Sequence, residues 1–172
     1  MSRLHAADEN IAALRARLSL IPSASVVAGS LIIHLVPIVA QAPAFPPLGL
    51  MIFLGWRLLR PQIWPVWAGL PFGLFDDLLS GNPIGSGMAL WTALLIVLEF
   101  ADNRLMWRDY WLNWLVATAA LTFYIIADMV FSVWTGGGWL VMPILPQIAM
   151  TVLLVPLILR LCARLDRWRL SL

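Results

Sequence analysis

The chain has 172 residues, of which 62% are hydrophobic and only 12% are charged, and its formal net charge is +2 at pH 7. Soluble domains carry about 25% charged and about 45–50% apolar residues, so a soluble fold of this length cannot bury so much apolar surface. The composition excludes a disordered chain, a nucleic-acid-binding protein and a disulfide-framed domain, since Cys162 is the one cysteine. It predicts an all-α integral membrane protein.

The first 20 residues predict an amphipathic tail. Ile11, Leu14 and Leu18 recur at helical spacing, whereas Arg15 and Arg17 lie off that stripe. This pattern is typical of a short helix lying on the membrane surface. A plain solvated tail is the alternative.

Six apolar stretches follow the tail, and each is a predicted transmembrane helix, because a span needs about 20 residues. Residues 21–161 are thus the predicted membrane domain, and residues 162–172 form a basic tail. In chain order, the predicted spans cover residues 22–42, 45–59, 61–79, 83–101, 111–134 and 139–161.

The arginines support six spans and set their orientation. All eleven basic residues are Arg, and with six spans every one of them lies on the same side of the membrane. Omitting the short second span would divide them between both sides. The positive-inside rule makes that side the cytoplasm, so both termini are predicted to be cytoplasmic. Glu99 and Asp102, at the cytoplasmic end of the fourth span, are expected to pair with Arg104 or Arg108.

Small and polar residues form a stripe along the third span. Gly69, Gly73, Asp77 and Gly81 recur every four residues, and Ser80 lies three residues beyond Asp77. Glycine pairs at this spacing let two helices approach closely in lipid. We therefore expect the stripe to lie at a helix interface, and packing of the third span on the fifth is sufficient to explain the glycines.

A comparable stripe in the fifth span contains Ala117, Ala120, Tyr124 and Asp128. Asp77 and Asp128 are predicted to lie at similar depth, toward the outer side of the bilayer. An ionised side chain at the centre of a membrane costs at least about 2.5 kcal/mol, so each carboxylate needs hydrogen-bond donors or water. We favour a structural role for both, as capping or hydrogen-bonding groups near a helix end, with a ligand- or partner-binding cavity and ion translocation as alternatives.

The remaining ionisable residues predict neither a metal site nor a catalytic one. His34, inside the first span, is expected to be a hydrogen-bonded helix contact, and two histidines supply too few metal ligands. Asp76 and Asp77 are adjacent on a helix, so their side chains point about 100° apart and do not form a paired-carboxylate site. We expect no enzymatic activity and no cofactor.

The segment from Gly73 to Gly85 reads GLFDDLLSGNPIG. It resembles the G-x-x-x-D-x-x-S-G-x-x-x-G segment of the rod shape-determining protein MreD family, with Asp77 at the acidic position. The resemblance extends over about residues 22–165, and further residues that fit it are Pro47, Trp56 and Asp128. The candidate structural or partner-interface residues are Gly69, Gly73, Asp77, Ser80, Gly81, Pro83, Gly85, Tyr124 and Asp128.

The resemblance implies a non-enzymatic scaffold of the bacterial elongation (rod) complex in the inner membrane, which supports cell shape and lateral peptidoglycan synthesis. Implied partners are the bitopic protein MreC, the MreB filament, the RodA glycosyltransferase, a class B penicillin-binding transpeptidase and membrane lipid. The implied fold is similar to the S-components of energy-coupling-factor transporters. That likeness supplies the alternative, a transporter subunit that binds a small solute in a polar cavity near Asp77 and Asp128.

Overall fold

The computed structural model describes residues 20–33, 45–80, 83–104, 110–135 and 144–170, which contain helices and turns but no strand. The prediction of an all-helical fold is confirmed, and each predicted span overlaps one helix. The N-terminal tail, His34 and Gly81 lie outside the described residues. The six helices are α1 (Leu20–Ile33), α2 (Leu48–Leu59), α3 (Gly69–Ser80), α4 (Ser86–Arg104), α5 (Tyr110–Trp134) and α6 (Ile144–Leu170).

Helix α2 lies at the centre of the bundle. Every residue from Gly49 to Leu58 is buried, as expected for a helix that is apolar on all sides and enclosed by others. Phe53 lies in a cluster of aromatic rings, with centroid distances of 5.6 Å to Trp64, 5.5 Å to Phe72 and 5.0 Å to Trp91. This cluster joins α2 to α3, to α4 and to the turn that precedes α3.

Contacts between α1 and α2 show that these two helices are antiparallel. Late in α1, Ser30 touches the start of α2, where a Cβ added to Gly49 would collide with the Ser30 hydroxyl. Earlier in α1, Ser25 accepts a hydrogen bond from the indole Nε1 of Trp56 at 2.8 Å, near the end of α2.

Helix α2 runs parallel to α4 and α6. Their late residues meet, since Arg57 of α2 contacts Glu99 of α4, and Arg60, directly after α2, contacts Asp166 of α6. Helix α3 runs against α4, because Gly69 lies beside Thr92 and the later Gly73 lies beside the earlier Gly87. Successive helices from α1 to α4 therefore alternate in direction.

Helix α3 begins later than predicted. The chain turns between Pro61 and Pro65, forms a 3₁₀ turn over Val66–Ala68, and enters α3 at Gly69. Proline has no backbone N–H, so Pro71 is accommodated in the first turn of α3, where the N–H groups have no partner within the helix. The predicted continuous helix from Pro61 is wrong, and the position of Asp77 has to be taken from its contacts.

Helix α6 ends later than the predicted boundary at Leu161. It continues to Leu170, so most of the predicted basic tail is helical. This stretch contains no proline or glycine, and its Asp166 forms an ion pair with Arg60 that holds the extension against the bundle.

Helices α5 and α6 are long and apolar enough to cross a membrane. Only 22% and 28% of the residues in their most apolar stretches are buried, and the others are half-buried or exposed. Trp111 and Trp134 are 74% and 86% exposed at the two ends of α5. They are about 34 Å apart along the helix, slightly more than the roughly 30 Å hydrocarbon core. Tryptophan at both ends of an exposed apolar helix is typical of the two membrane interfaces.

Candidate functional site

The buried carboxylate of Asp77 lies at the junction of α3 and α4. It accepts hydrogen bonds from the backbone N–H groups of Gly85 at 2.9 Å and Gly87 at 2.8 Å, with a longer contact of 3.4 Å from Met88. The first N–H groups of a helix have no partner within it, and a negative charge there also interacts favourably with the helix dipole. Asp77 therefore caps α4 from the neighbouring helix, as expected from its place before the turn.

The turn between α3 and α4 presents these N–H groups to Asp77. The Ser86 hydroxyl lies 2.9 Å from the Pro83 carbonyl oxygen and 3.3 Å from Asp77 Oδ1, and its single proton serves one acceptor at a time. Gly85 has φ of +105°, a conformation that side chains other than glycine rarely adopt. A Cβ at Gly85 would meet no atom within 4 Å, so the backbone conformation and not the available space requires glycine.

The glycines of α3 allow its backbone to touch that of α4. A Cβ added at Gly73 would lie 2.6 Å from the carbonyl carbon of Gly87, and one at Gly69 would lie 2.7 Å from the backbone nitrogen of Thr92. These are backbone atoms, which cannot move aside as a flexible side chain can. The small-residue stripe thus packs on α4, which corrects the expectation that the third span packs on the fifth.

Ser80 and Asp76 make contacts that the sequence patterns did not indicate. The Ser80 hydroxyl donates to the Asp76 carbonyl oxygen at 2.8 Å within its own helix. The Asp76 carboxylate accepts a hydrogen bond from the buried Ser30 hydroxyl of α1 at 3.0 Å. Asp76 therefore connects α1 to α3. The sequence patterns did not single out Ser30, and the signal that could have found it is a hydroxyl directly after Gly29 in an apolar helix.

Tyr124 and Asp128 of α5 face the same end of the bundle. Tyr124 is buried and Asp128 is half-buried, and each is within electrostatic range of both Asp76 and Asp77. The indole of the fully buried Trp91 approaches the Tyr124 side chain. We name Asp76, Asp77, Tyr124, Asp128 and Trp91 the acidic end.

Ion pairs occupy the opposite end of the bundle. The guanidinium of Arg57, only 3% exposed, lies 2.6 Å from Glu99 and 2.9 Å from Asp102. These two acids were expected to pair with Arg104 or Arg108, whose side chains lie outside the described part of the chain. Arg57 of the central helix pairs with both of them and joins α2 to α4.

A second ion-paired group joins α2 to α6. Arg60 donates from Nε and Nη2 to the same Asp166 oxygen, at 3.2 and 3.0 Å, and Arg169 donates to the other oxygen at 2.7 Å. The Arg169 guanidinium also lies 5.5 Å from the ring centroid of Trp56. Because Arg57 and Gly49 are about 12 Å apart along α2, the arginines and the acidic end occupy different levels of the bundle.

Within the described residues, no group of three or more His, Cys, Asp or Glu side chains is arranged to hold a metal ion. In comparisons with known proteins, no family model, no curated protein and no solved structure matches this chain. The proposed function therefore rests on the geometry of the acidic end and of the ion-paired end of the bundle.

Proposed function

We propose that the protein is a multi-pass scaffold of the bacterial elongation complex, with six spans in the inner membrane and both termini in the cytoplasm. The apolar outer faces of α5 and α6 support insertion in lipid. The alternating helix directions, together with arginines that all lie on one predicted side, support the six-span arrangement.

The residues that resemble those of MreD have structural roles, and this observation supports the scaffold proposal. Asp77, Gly73 and Gly85 hold α3 and α4 together through a capped turn and a direct backbone contact. Both carboxylate oxygens of Asp77 accept backbone N–H groups, which favours a structural role over that of a base or nucleophile. A rigid hairpin of this kind suits a protein whose task is to position partners.

Co-purification from native membranes, with partners identified by mass spectrometry, tests the proposal. We expect an MreC-like bitopic protein, together with MreB, RodA and a class B penicillin-binding transpeptidase. Ala89→Leu is a control variant. Ala89 lies on the exposed side of α4, away from the hairpin interface, so this variant should retain these partners. Recovery of an ABC-type ATPase in their place would contradict the scaffold proposal.

The acidic end favours a second candidate, a solute-binding transporter subunit similar to the S-components. Tyr124 is buried beside Trp91 and lies within electrostatic range of Asp76, Asp77 and Asp128. A few polar groups that converge in an otherwise apolar surrounding are typical of a small-solute site. Mass spectrometry of small molecules carried by the purified protein tests this candidate, and Tyr124→Phe should release any solute bound there.

A further inference from the structure

The outward face of α6 changes from apolar to basic along its length. Leu153 and Leu157 are 75% and 59% exposed on this face. Arg160, Arg164 and Arg167 follow on the same face, and all three are exposed. Their spacing of four and three residues aligns them along one side of a helix. We name these three residues the α6 arginine face.

The opposite side of α6 is fixed against the bundle. Ile158, Cys162 and Asp166 recur every four residues, and all three are buried. The Cys162 thiol lies 3.9 Å from the carbonyl oxygen of Ile52 in α2. Since this side is held by packing and by the Asp166 ion pairs, the α6 arginine face points away from the protein.

The arginines of the described region fall into two groups. Arg57, Arg60 and Arg169 are ion-paired with carboxylates of the chain. The α6 arginine face has no such ion pair with any residue that the structure describes. A guanidinium presents planar N–H donors that match the oxygens of a phosphate, so these three side chains are available to an anion outside the protein.

We propose that the α6 arginine face binds the phosphate headgroups of anionic phospholipids in the cytoplasmic leaflet, with acyl chains along Leu153 and Leu157. This inference rests on the proposed insertion in the membrane. The three arginines extend over about 10 Å of helix, directly beyond the exposed leucines. The apolar part of this face would therefore lie beside the acyl chains, and the basic part beside the headgroup. Arginines near an anionic leaflet each strengthen binding about fivefold, or about 100-fold for three.

Native mass spectrometry of the full-length protein tests the proposal, after reconstitution in nanodiscs that contain phosphatidylcholine and a minor fraction of phosphatidylglycerol. We expect wild-type protein to retain phosphatidylglycerol preferentially. The triple variant Arg160→Gln, Arg164→Gln, Arg167→Gln should lose this preference by about 100-fold. A charge-retaining control, the triple variant Arg160→Lys, Arg164→Lys, Arg167→Lys, leaves three positive charges beside the headgroups and should keep it.

Three results would overturn the proposal: equal lipid retention by the triple glutamine variant, equal loss in the charge-retaining lysine control, or displacement of phosphatidylglycerol by inorganic phosphate at constant ionic strength. The last result would indicate a site for free phosphate. Incorporation into nanodiscs is a separate readout. Wild-type protein that fails to incorporate contradicts membrane insertion itself, whereas protein that incorporates without a lipid preference contradicts only the role of the α6 arginine face.

Discussion

The carboxylate of Asp77 on α3 accepts the backbone N–H of Gly87 on α4 at 2.8 Å. The same pair of helices touches one turn earlier, where a Cβ on Gly73 would lie 2.6 Å from the Gly87 carbonyl oxygen. The hydrogen bond requires the close approach, and the close approach requires glycine at both positions. Capping and backbone contact are therefore two parts of one interaction that holds the hairpin.

Asp77→Asn and Asp77→Leu test the capping role. Asparagine keeps one acceptor oxygen, so we expect it to fold with stability lowered by about 1–2 kcal/mol. Leucine leaves the N–H groups of Gly85 and Gly87 buried without an acceptor, and each unsatisfied group costs about 1–3 kcal/mol. Thermal unfolding in detergent measures the difference, with alkylation of the buried Cys162 thiol as the signal for opening.

Rod-shape complementation with the same two variants separates capping from ion translocation. Capping predicts that activity follows folded yield, so that the asparagine variant is largely active. Ion translocation predicts that Asp77→Asn folds and assembles normally but fails to complement. A folded, assembled and inactive asparagine variant would therefore contradict the capping role.

The buried stripe of α3 could be predicted from the sequence, but its partner helix could not. Gly69, Gly73 and Asp77 are the buried residues of α3, as their four-residue spacing indicated. Periodicity identifies which face of a helix is turned inward, because it is a local property. It carries no information about which helix lies opposite, and for that reason the predicted contact with the fifth span was wrong.

The partners in the long-range ion pairs could not be predicted from sequence patterns either. Arg57 and Glu99 are 42 residues apart, and Arg60 and Asp166 are 106 residues apart. The one-sided arginines predicted that these groups share a level of the membrane. Several acids and arginines were available at that level, so the choice of partners depends on how the helices pack around α2.

Gly73→Ala tests the backbone contact between α3 and α4. The added methyl group would lie too close to the Gly87 carbonyl group and to the Cα of Met88, so the helices must separate. We expect a loss of stability of about 1–3 kcal/mol, the range found for overpacked interiors. Ala89→Leu adds more bulk to the exposed side of α4 and should leave thermal stability unchanged. If both variants unfold at the wild-type temperature, the close approach of α3 and α4 is wrong.

Arg57→Gln and Arg60→Gln compare a buried arginine with a half-exposed one. The Arg57 side chain is 3% exposed and serves two acids, whereas that of Arg60 is 50% exposed and its acid, Asp166, also pairs with Arg169. Removing a buried member of an ion pair costs about 3–5 kcal/mol. A half-exposed arginine whose acid keeps a second partner contributes about 1 kcal/mol or less. Chemical unfolding should therefore give Arg57→Gln a clearly lower free energy of unfolding than Arg60→Gln. Equal free energies would show that Arg57 is solvated.

Cysteine labelling in intact cells tests the predicted topology at the two ends of the bundle. In a Cys162→Ser background, Thr135→Cys lies just beyond α5 and Leu170→Cys at the end of α6, and both positions are exposed. With six spans and cytoplasmic termini, a membrane-impermeant maleimide that reaches the periplasm should label position 135 directly. It should label position 170 only after the inner membrane is opened, because this arrangement would place the basic end of α6 on the cytoplasmic side. The wild-type protein, with its thiol buried at Cys162, serves as the unlabelled control. Labelling of both positions from the same side would rule out the six-span arrangement.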